Sequence, residues 1–201
     1  MPCYSRIGTI RAIVRVQRHP EIRFCFDAER EIVDIAECGY HCAVRFGNGA
    51  WRDVNATKIM DQVLFPVCNL DLKGTVKSVQ DLSKINIITS ENLVGYWGTW
   101  LKANQAADLE IRKKFTLSDE DMCLGAAIGG LGVTITWQTQ AIECLKSGQL
   151  TCPLPSRVES GSSYWLITPK DRSASRAMSL FRNWMNEEAA ASNRELSQLL
   201  S

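Results

Sequence analysis

The hydrophobic and polar positions of residues 115–136, FTLSDEDMCLGAAIGGLGVTIT, predict a strand, a helix, a glycine turn and a second strand. Ser118 precedes three carboxylate residues, which is typical of an N-cap and a first helical turn, where unpaired N–H groups favour negative charge. Apolar residues between 122 and 128 give the helix a hydrophobic face, and Gly129 and Gly130 end it. The β-branched alternation of residues 132–136 then predicts a strand.

The glycines at 129, 130 and 132 have two interpretations, a helix C-cap or a phosphate-binding loop. A dinucleotide-binding loop needs a strand, then glycines, then a helix N-terminus, so that N–H groups point at the phosphate. Here the predicted helix precedes the glycines, so carbonyl groups face the turn. The order favours the C-cap.

The same patterning predicts the other elements. Helices are expected near residues 7–16, 29–38 and 93–103, around Ile142 and Leu145, and from residue 173 onward; strands are expected at 21–26, 42–46, 58–68 (one or two), 85–88 and 163–168. Trp97 and Trp100, spaced i,i+3, are expected in the core or in a cleft wall. The weakly amphipathic residues 189–201 are expected to fray.

Alternating strands and helices predict an α/β fold with parallel sheets covered by helices on both faces. The polar stretch 69–76 predicts a first crossover between two sheet-centred blocks, and Pro169 marks a second boundary. The apolar stripe of the last helix is expected to pack on the first block. A chain that crosses twice between two lobes leaves a cleft, a common place for a small molecule.

Composition narrows the function classes. The chain has 201 residues, 45% of them hydrophobic and 22% charged, with a formal net charge of +1, so nucleic acid is not favoured as a direct partner. No apolar run approaches the roughly 20 residues of a membrane-spanning helix. Arg11 and Arg15 interrupt any signal-peptide core, so we expect a cytoplasmic protein without a membrane partner.

The eight cysteines are expected to be free thiols, mostly within apolar runs. Cys38, His41 and Cys42 lie close together but lack a fourth ligand, so we expect neither a metal nor another cofactor. Cys42 with His41 would be an enzyme's nucleophile and base, but neighbours on a strand point to opposite faces. The pair of Asp119 and Asp121 is explained by the helix dipole, so no catalytic set is predicted.

Several segments together resemble the effector-binding domain of LysR-type transcriptional regulators, in the subgroup of the glycine-cleavage activator and the β-lactamase regulator. They are RVQRHPEIRF (15–24), VDIAECGYHCAVRFGNGAW (33–51), LFPVCN (64–69), NIITSENLVGYWGTWLKA (86–103), AAIGGLGV (126–133), LKSGQLTCP (145–153), SYWLITP (163–169) and SLFRNWMNEE (179–188). The resemblance implies a fold like that of type II periplasmic binding proteins: two Rossmann-like lobes, 1–72 plus 168–201 and 73–167, joined by two crossovers.

The resemblance also implies where an effector is bound. The implied contacts are Ser5, Thr9, Gly47, Asn48, Gly49, Cys68, Thr89, Ser90, Ser118, Asp119, Glu120 and Tyr164. Polar groups at helix starts suit an anion, although Ser118 and Thr89 are equally well explained as capping residues. Asp119 and Glu120 stand where the family commonly has serine-like residues, and their charge disfavours a bare anionic effector.

The function implied is that of a ligand-sensing module that forms homodimers or tetramers, with a small-molecule effector such as an amino acid or a cell-wall fragment. Nothing before residue 20 can form the family's helix-turn-helix, so we expect this chain to reach DNA only through a domain it does not carry and to be truncated or to stand alone. A solute-binding protein of a transport system shares this architecture and is the alternative. An enzyme is not expected.

Overall fold

The computed structural model of the chain describes residues 25, 34, 35, 37–170 and 175–200. The helices predicted near 7–16 and 29–38 and the strand at 21–26 therefore lie largely or wholly outside the described residues, as do Ser5 and Thr9. None of the described helices is long and apolar enough to cross a membrane.

The described residues form six strands, five α-helices and one 3-10 helix. In chain order these are β1 (Ala43–Gly47), β2 (Val54–Val67), α1 (Leu70–Lys73), the 3-10 helix (Val79–Ser83), β3 (Ile87–Ser90), α2 (Val94–Ala103), β4 (Lys113–Leu117), α3 (Glu120–Ile128), β5 (Val133–Trp137), α4 (Gln138–Lys146), β6 (Val158–Pro169) and α5 (Arg176–Leu199). The strands and helices predicted from residue 42 onward are all present, and the apolar block at 58–68 belongs to one long strand.

The strands form a mixed sheet in the order β1-β6-β2-β5-β3-β4. Strand β3 pairs in parallel with β4 and with β5, as the alternation of strands and helices predicts. However, β1 pairs antiparallel with β6, and β2 antiparallel with β5, so the prediction of purely parallel sheets is wrong. The sequence pattern predicts the order of the elements along the chain. Whether β2 and β6 run parallel or antiparallel to their neighbours depends on pairing with strands far away in the sequence.

The described residues divide into two compact units. One holds the residues up to Asp61 together with Gly161–Ala191, and the other holds Gln62–Ser160 and the chain from Ser192. The chain thus passes from one unit to the other within β2, returns within β6, and enters the second unit again near the end of α5. The lobe boundaries expected at residues 72 and 168 stay a prediction.

The second unit has a hydrophobic core between its strands and helices. Strand β5 is buried along its whole length, and Ile87 and Ile88 of β3 are 0% exposed. Trp97 and Trp100 of α2 are 1% and 0% exposed and meet edge to face at 6.3 Å, so both belong to the core as predicted. The indole N–H of Trp100 donates to the carbonyl of Ser156 at 3.0 Å.

The glycine turn between α3 and β5 closes the helix as the sequence predicts. The N–H of Gly130 donates to the carbonyl of Ala127, and the N–H of Leu131 donates to that of Ala126, both at 3.1 Å, which is a Schellman motif. These N–H groups are therefore used within the chain and do not form a phosphate cradle. Gly132 has a separate reason to be glycine, because a Cβ there would overlap the backbone carbonyl of Asn86.

The end of α5 differs from the prediction that residues 189–201 fray. The helix continues to Leu199, and Leu196 is only 3% exposed. Asn193 accepts a hydrogen bond of 2.6 Å from Gln138, and Glu195 lies 3.7 Å from Lys146, so both side chains reach α4. These contacts offset the entropy lost on ordering the tail, and no local sequence pattern reveals them.

Candidate functional site

The described candidate residues fall into two groups, one in each unit. Gly47, Asn48, Gly49 and Tyr164 belong to the first unit, and Cys68, Thr89, Ser90, Ser118, Asp119 and Glu120 belong to the second. That these residues bind an effector stays a prediction.

The second unit gathers polar side chains at one edge of its sheet. Strands β5, β3 and β4 run parallel, so their carboxyl ends lie at the same edge. Ser90 ends β3, Ser118 follows β4 and Gln138 follows β5. The carboxyl edge of parallel strands is where open α/β sheets bind ligands.

Ser90 connects the starts of two helices at this edge. Its hydroxyl donates to Oε1 of Glu120 at 3.1 Å and accepts from the backbone N–H of Leu93 at 3.3 Å, immediately before α2. Ser90 is 0% and Glu120 8% exposed. Among the described residues, no lysine, arginine or histidine forms an ion pair with Glu120. The edge therefore holds a nearly buried carboxyl group that accepts a hydrogen bond from the neutral hydroxyl of Ser90.

The helix α3 is capped by Asp119 and not by Ser118, which corrects the prediction. Oδ1 of Asp119 accepts from the N–H of Met122 at 2.9 Å, whereas the exposed Ser118 hydroxyl donates to Oδ2 of Asp119 at 3.3 Å. Both residue types cap helices well, and sequence alone does not show which one has the extended backbone of an N-cap. Ser118 thus supports the cap from outside the helix.

Two of the predicted contacts are enclosed by the fold. The Thr89 side chain is 0% exposed, and its hydroxyl donates to the carbonyl of Ser90 at 3.2 Å. Cys68 is also 0% exposed, and burial raises the pKa of its thiol to about 11. Its backbone pairs with Thr151 through bonds of 3.0 and 2.8 Å, which fixes the chain after β2.

Sequence reasoning missed a buried polar cluster at the start of α4. The Thr139 hydroxyl donates to Oε1 of Gln62 at 2.9 Å, and the Gln138 amide donates to Asn193 at 2.6 Å. Gln62 and Gln138 are 1% and 3% exposed. A glutamine such as Gln62, within a strand of alternating pattern, is expected to face solvent. The one signal for this cluster in the sequence was the position of Gln138 directly after an apolar strand.

In the first unit, the turn after β1 is held by β6. Oδ1 of Asn48 accepts from the N–H of Ala50 at 3.1 Å, and Gly49 has φ +87°. The Phe46 and Tyr164 rings, on paired strands, pack in a tilted arrangement with centroids 5.3 Å apart. Next to Tyr164, the Trp165 indole donates to the carbonyl of Gly47 at 3.0 Å, a contact that sequence reasoning missed.

Two other features of the described residues are the thiols and a groove beside α2. Cys42 and Cys152 have free thiols, and burial raises the pKa of both, to about 12 for Cys152. In the part of the chain that the structure describes, no three His, Cys, Asp or Glu side chains cluster as a metal site would require. An open groove of about 410 Å³ is lined by Val94, Trp97, Gly98, Leu101, Leu109, Glu110, Ile111 and Lys113. None of the described candidate residues lines this groove.

Comparison with known proteins gives the sequence relatives of the chain. The LysR substrate binding domain family matches residues 12–190. The HTH-type transcriptional activator AmpR of Pseudomonas aeruginosa is 29% identical over 178 residues, which cover 88% of this chain and 60% of that protein. The glycine cleavage system transcriptional activator of Escherichia coli K12 is 26% identical over 152 residues, 74% of this chain and 50% of that protein. The chain thus spans between half and two thirds of the length of these relatives.

Solved structures agree with the sequence relatives. The effector domain of AmpR from Pseudomonas aeruginosa superposes with a TM-score of 0.77 at 28% identity, covering 94% of this chain and 91% of that one. The regulatory domain of CrgA from Neisseria meningitidis shares the fold at 18% identity, with a TM-score of 0.72 and coverage of 91% and 92%. The predicted α/β fold and the predicted resemblance are both confirmed. The chain belongs to the LysR substrate-binding domain family.

Proposed function

We propose that this chain is the effector-binding module of a LysR-type transcriptional regulator. The observation that carries the proposal is the family match over residues 12–190, supported by the likeness to the AmpR effector domain at a TM-score of 0.77. The module binds a small molecule and passes the signal to a DNA-binding helix-turn-helix domain. It has no catalytic role, in keeping with relatives that are named as transcriptional activators.

The proposed contacts in the second unit are the groups at the carboxyl edge of its sheet. Ser90, Ser118 and Asp119 lie at helix starts, and the Ser90 hydroxyl contacts Glu120. In the first unit, Gly47, Asn48, Gly49 and Tyr164 are the proposed contacts. Cys68 and Thr89 are enclosed, so they act by shaping the wall behind the site. Ser5 and Thr9 remain proposed from the family resemblance.

The charge at this edge favours a class of effector. Glu120 is nearly buried without a cation partner among the described residues, and Asp119 and Asp121 flank it. A ligand that brings an ammonium group or several N–H donors satisfies this carboxylate, whereas a bare anion would be repelled. We therefore propose an amino acid, or a cell-wall fragment that carries an amino group.

A thermal-shift screen tests effector binding. At a ligand concentration of about 100 Kd, linkage adds roughly 2.7 kcal/mol to the stability, so an effector should raise Tm by several degrees. The panel consists of amino acids, organic acids and amino-sugar peptides. Glu120→Gln should reduce the shift. Glu143→Gln should retain it, because Glu143 lies farther along α4 and forms an ion pair with Lys146 of the same helix at 3.5 Å. A broad panel without any stabilising compound would count against effector binding.

The cellular context of the module follows from its class. We propose that it works in the cytoplasm, where a transcriptional regulator meets DNA, and that it assembles as a homodimer or tetramer. Sedimentation velocity tests the assembly, since a monomer and a dimer of a 22.5 kDa chain are well separated. A monomer at all concentrations would contradict the proposed assembly and leave ligand binding open.

A further inference from the structure

We propose that Trp165 is the positioning residue of the turn at residues 47–51, which holds the proposed effector contacts of the first unit. The role of the turn rests on the proposed function, but its attachment to Trp165 does not. Trp165 lies on β6 and is paired with Arg45 of β1, so its side chain stands beside the end of β1, where the turn begins. Position 165 follows directly after Tyr164, another proposed contact.

A hydrogen bond fixes the first residue of the turn. The indole N–H of Trp165 donates to the carbonyl of Gly47 at 3.0 Å in a partly buried setting. Gly47 is the last residue of β1, where the ladder with β6 ends. A carbonyl at a strand end needs a partner once water is excluded, and the indole provides one. The bond spans 118 residues of sequence, so it joins distant parts of the chain.

The third residue of the turn lies against the indole ring. Gly49 has φ +87°, and a Cβ built on it would overlap the ring atoms Cζ2, Cη2 and Cε2 of Trp165. Two requirements therefore converge at Gly49: a left-handed backbone, and no side chain between that backbone and the indole. The turn is in contact with Trp165 at two points that are two residues apart.

Neighbouring side chains fix the orientation of the Trp165 indole. Trp51 meets Trp165 edge to face at 6.3 Å and 79°, and the Lys58 ammonium lies 5.5 Å from the centroid of the Trp165 ring. Lys58 forms an ion pair of 3.0 Å with Asp61, which also accepts a 2.6 Å hydrogen bond from Ser163 of β6. The orientation of Trp165 is thus set by β2, β6 and the end of the turn itself.

Hydrogen exchange without any ligand tests the attachment. Trp165→Phe keeps an aromatic ring but removes the N–H, so amides in a peptide covering 46–53 should exchange about three- to tenfold faster. Peptides from β2 beyond residue 60 should change less, which distinguishes a loosened turn from a general loss of stability. Trp184→Phe is the matched control, because the Trp184 indole N–H has no hydrogen-bond partner among the residues that the structure describes. Unchanged exchange in Trp165→Phe, or an equal increase in Trp184→Phe, overturns the proposal.

A pair of glycine variants provides a second test if Trp165→Phe folds poorly. Gly49→Ala and Gly39→Ala both place alanine at positive φ, +87° and +74°. Of the described residues, Trp165 would meet the new Cβ at Gly49, and none would meet the one at Gly39. Gly49→Ala should lower Tm more than Gly39→Ala, and equal losses overturn the proposal.

The effector screen and the exchange experiment distinguish the two proposals. If the screen fails but Trp165→Phe exchanges faster, the proposed function alone is refuted. If the screen succeeds but exchange is unchanged, only the positioning role of Trp165 is refuted.

Discussion

The end of α5 provides the sharpest stability prediction, because two leucines of the same helix differ in burial. Leu196 is 3% exposed and Leu199 is 38% exposed. Leu196→Ala should lower the free energy of unfolding by about 2–3 kcal/mol, in the lower part of the range for buried leucines, because a helix end near the chain terminus can partly collapse into the space. Leu199→Ala should cost roughly 1 kcal/mol or less, since much of its side chain already meets water.

Urea unfolding followed by far-UV circular dichroism measures the free energy of unfolding of both variants. The two values can be compared if the free energy falls with urea concentration at the same slope in both. A cost for Leu196→Ala at least about 1 kcal/mol above that for Leu199→Ala would agree with a docked tail. If the residues beyond 189 frayed, as their weak amphipathicity suggests, both variants would cost the same few tenths. That result would refute the reasoning from burial.

Three more residues give testable predictions. Burial, together with the nearby Glu120 and Asp119, raises the pKa of the Cys123 thiol to about 12. At pH 8.5 iodoacetamide should therefore label an exposed thiol such as Cys38 and leave Cys123 unlabelled. Equal labelling of the two cysteines in peptide mass spectra would contradict this expectation. The hydrogen bond from the Ser163 hydroxyl and, to a smaller extent, the one from Lys58 lower the pKa of Asp61. The stability that Asp61 contributes to the fold is therefore fully present above the ordinary aspartate pKa and is lost as the pH falls through the lowered pKa. Ser163→Ala should raise that pKa in an NMR titration. Gly132→Ala should destabilise by roughly 1–3 kcal/mol or more in urea unfolding, because its Cβ meets a backbone carbonyl.

Local signals predicted the strand–helix–strand unit of β4, α3 and β5. Carboxylates at a helix start and glycines at its end act within a few residues, and the structure confirms both, with the Schellman turn at Gly130. The error was one residue, the exchange of Ser118 for Asp119 as the N-cap. Cap identity depends on the backbone angles of two adjacent residues, which composition does not reveal.

Strand direction and the docked tail could not be predicted in the same way. The apolar stretch at 58–68 indicates a strand but not that it pairs antiparallel with β5. The residues after 189 have a weakly amphipathic pattern. Their order depends on two residues of α4, since Gln138 donates a hydrogen bond to Asn193 and Lys146 pairs with Glu195. Such contacts are fixed only when the whole fold is formed.

The candidate site shows the same division between local and distant contacts. The residues that sequence reasoning selected, such as Asn48 and Asp119, make hydrogen bonds to backbone groups two or three positions away. The residues it missed bind across the fold: Trp165 over 118 positions and Thr139 over 77. A turn or cap can be recognised from its own residues, but its position in space is set by a partner that the local pattern does not contain. Variants of Trp165 and Thr139 should therefore alter the geometry of the candidate site although neither residue belongs to a recognisable motif.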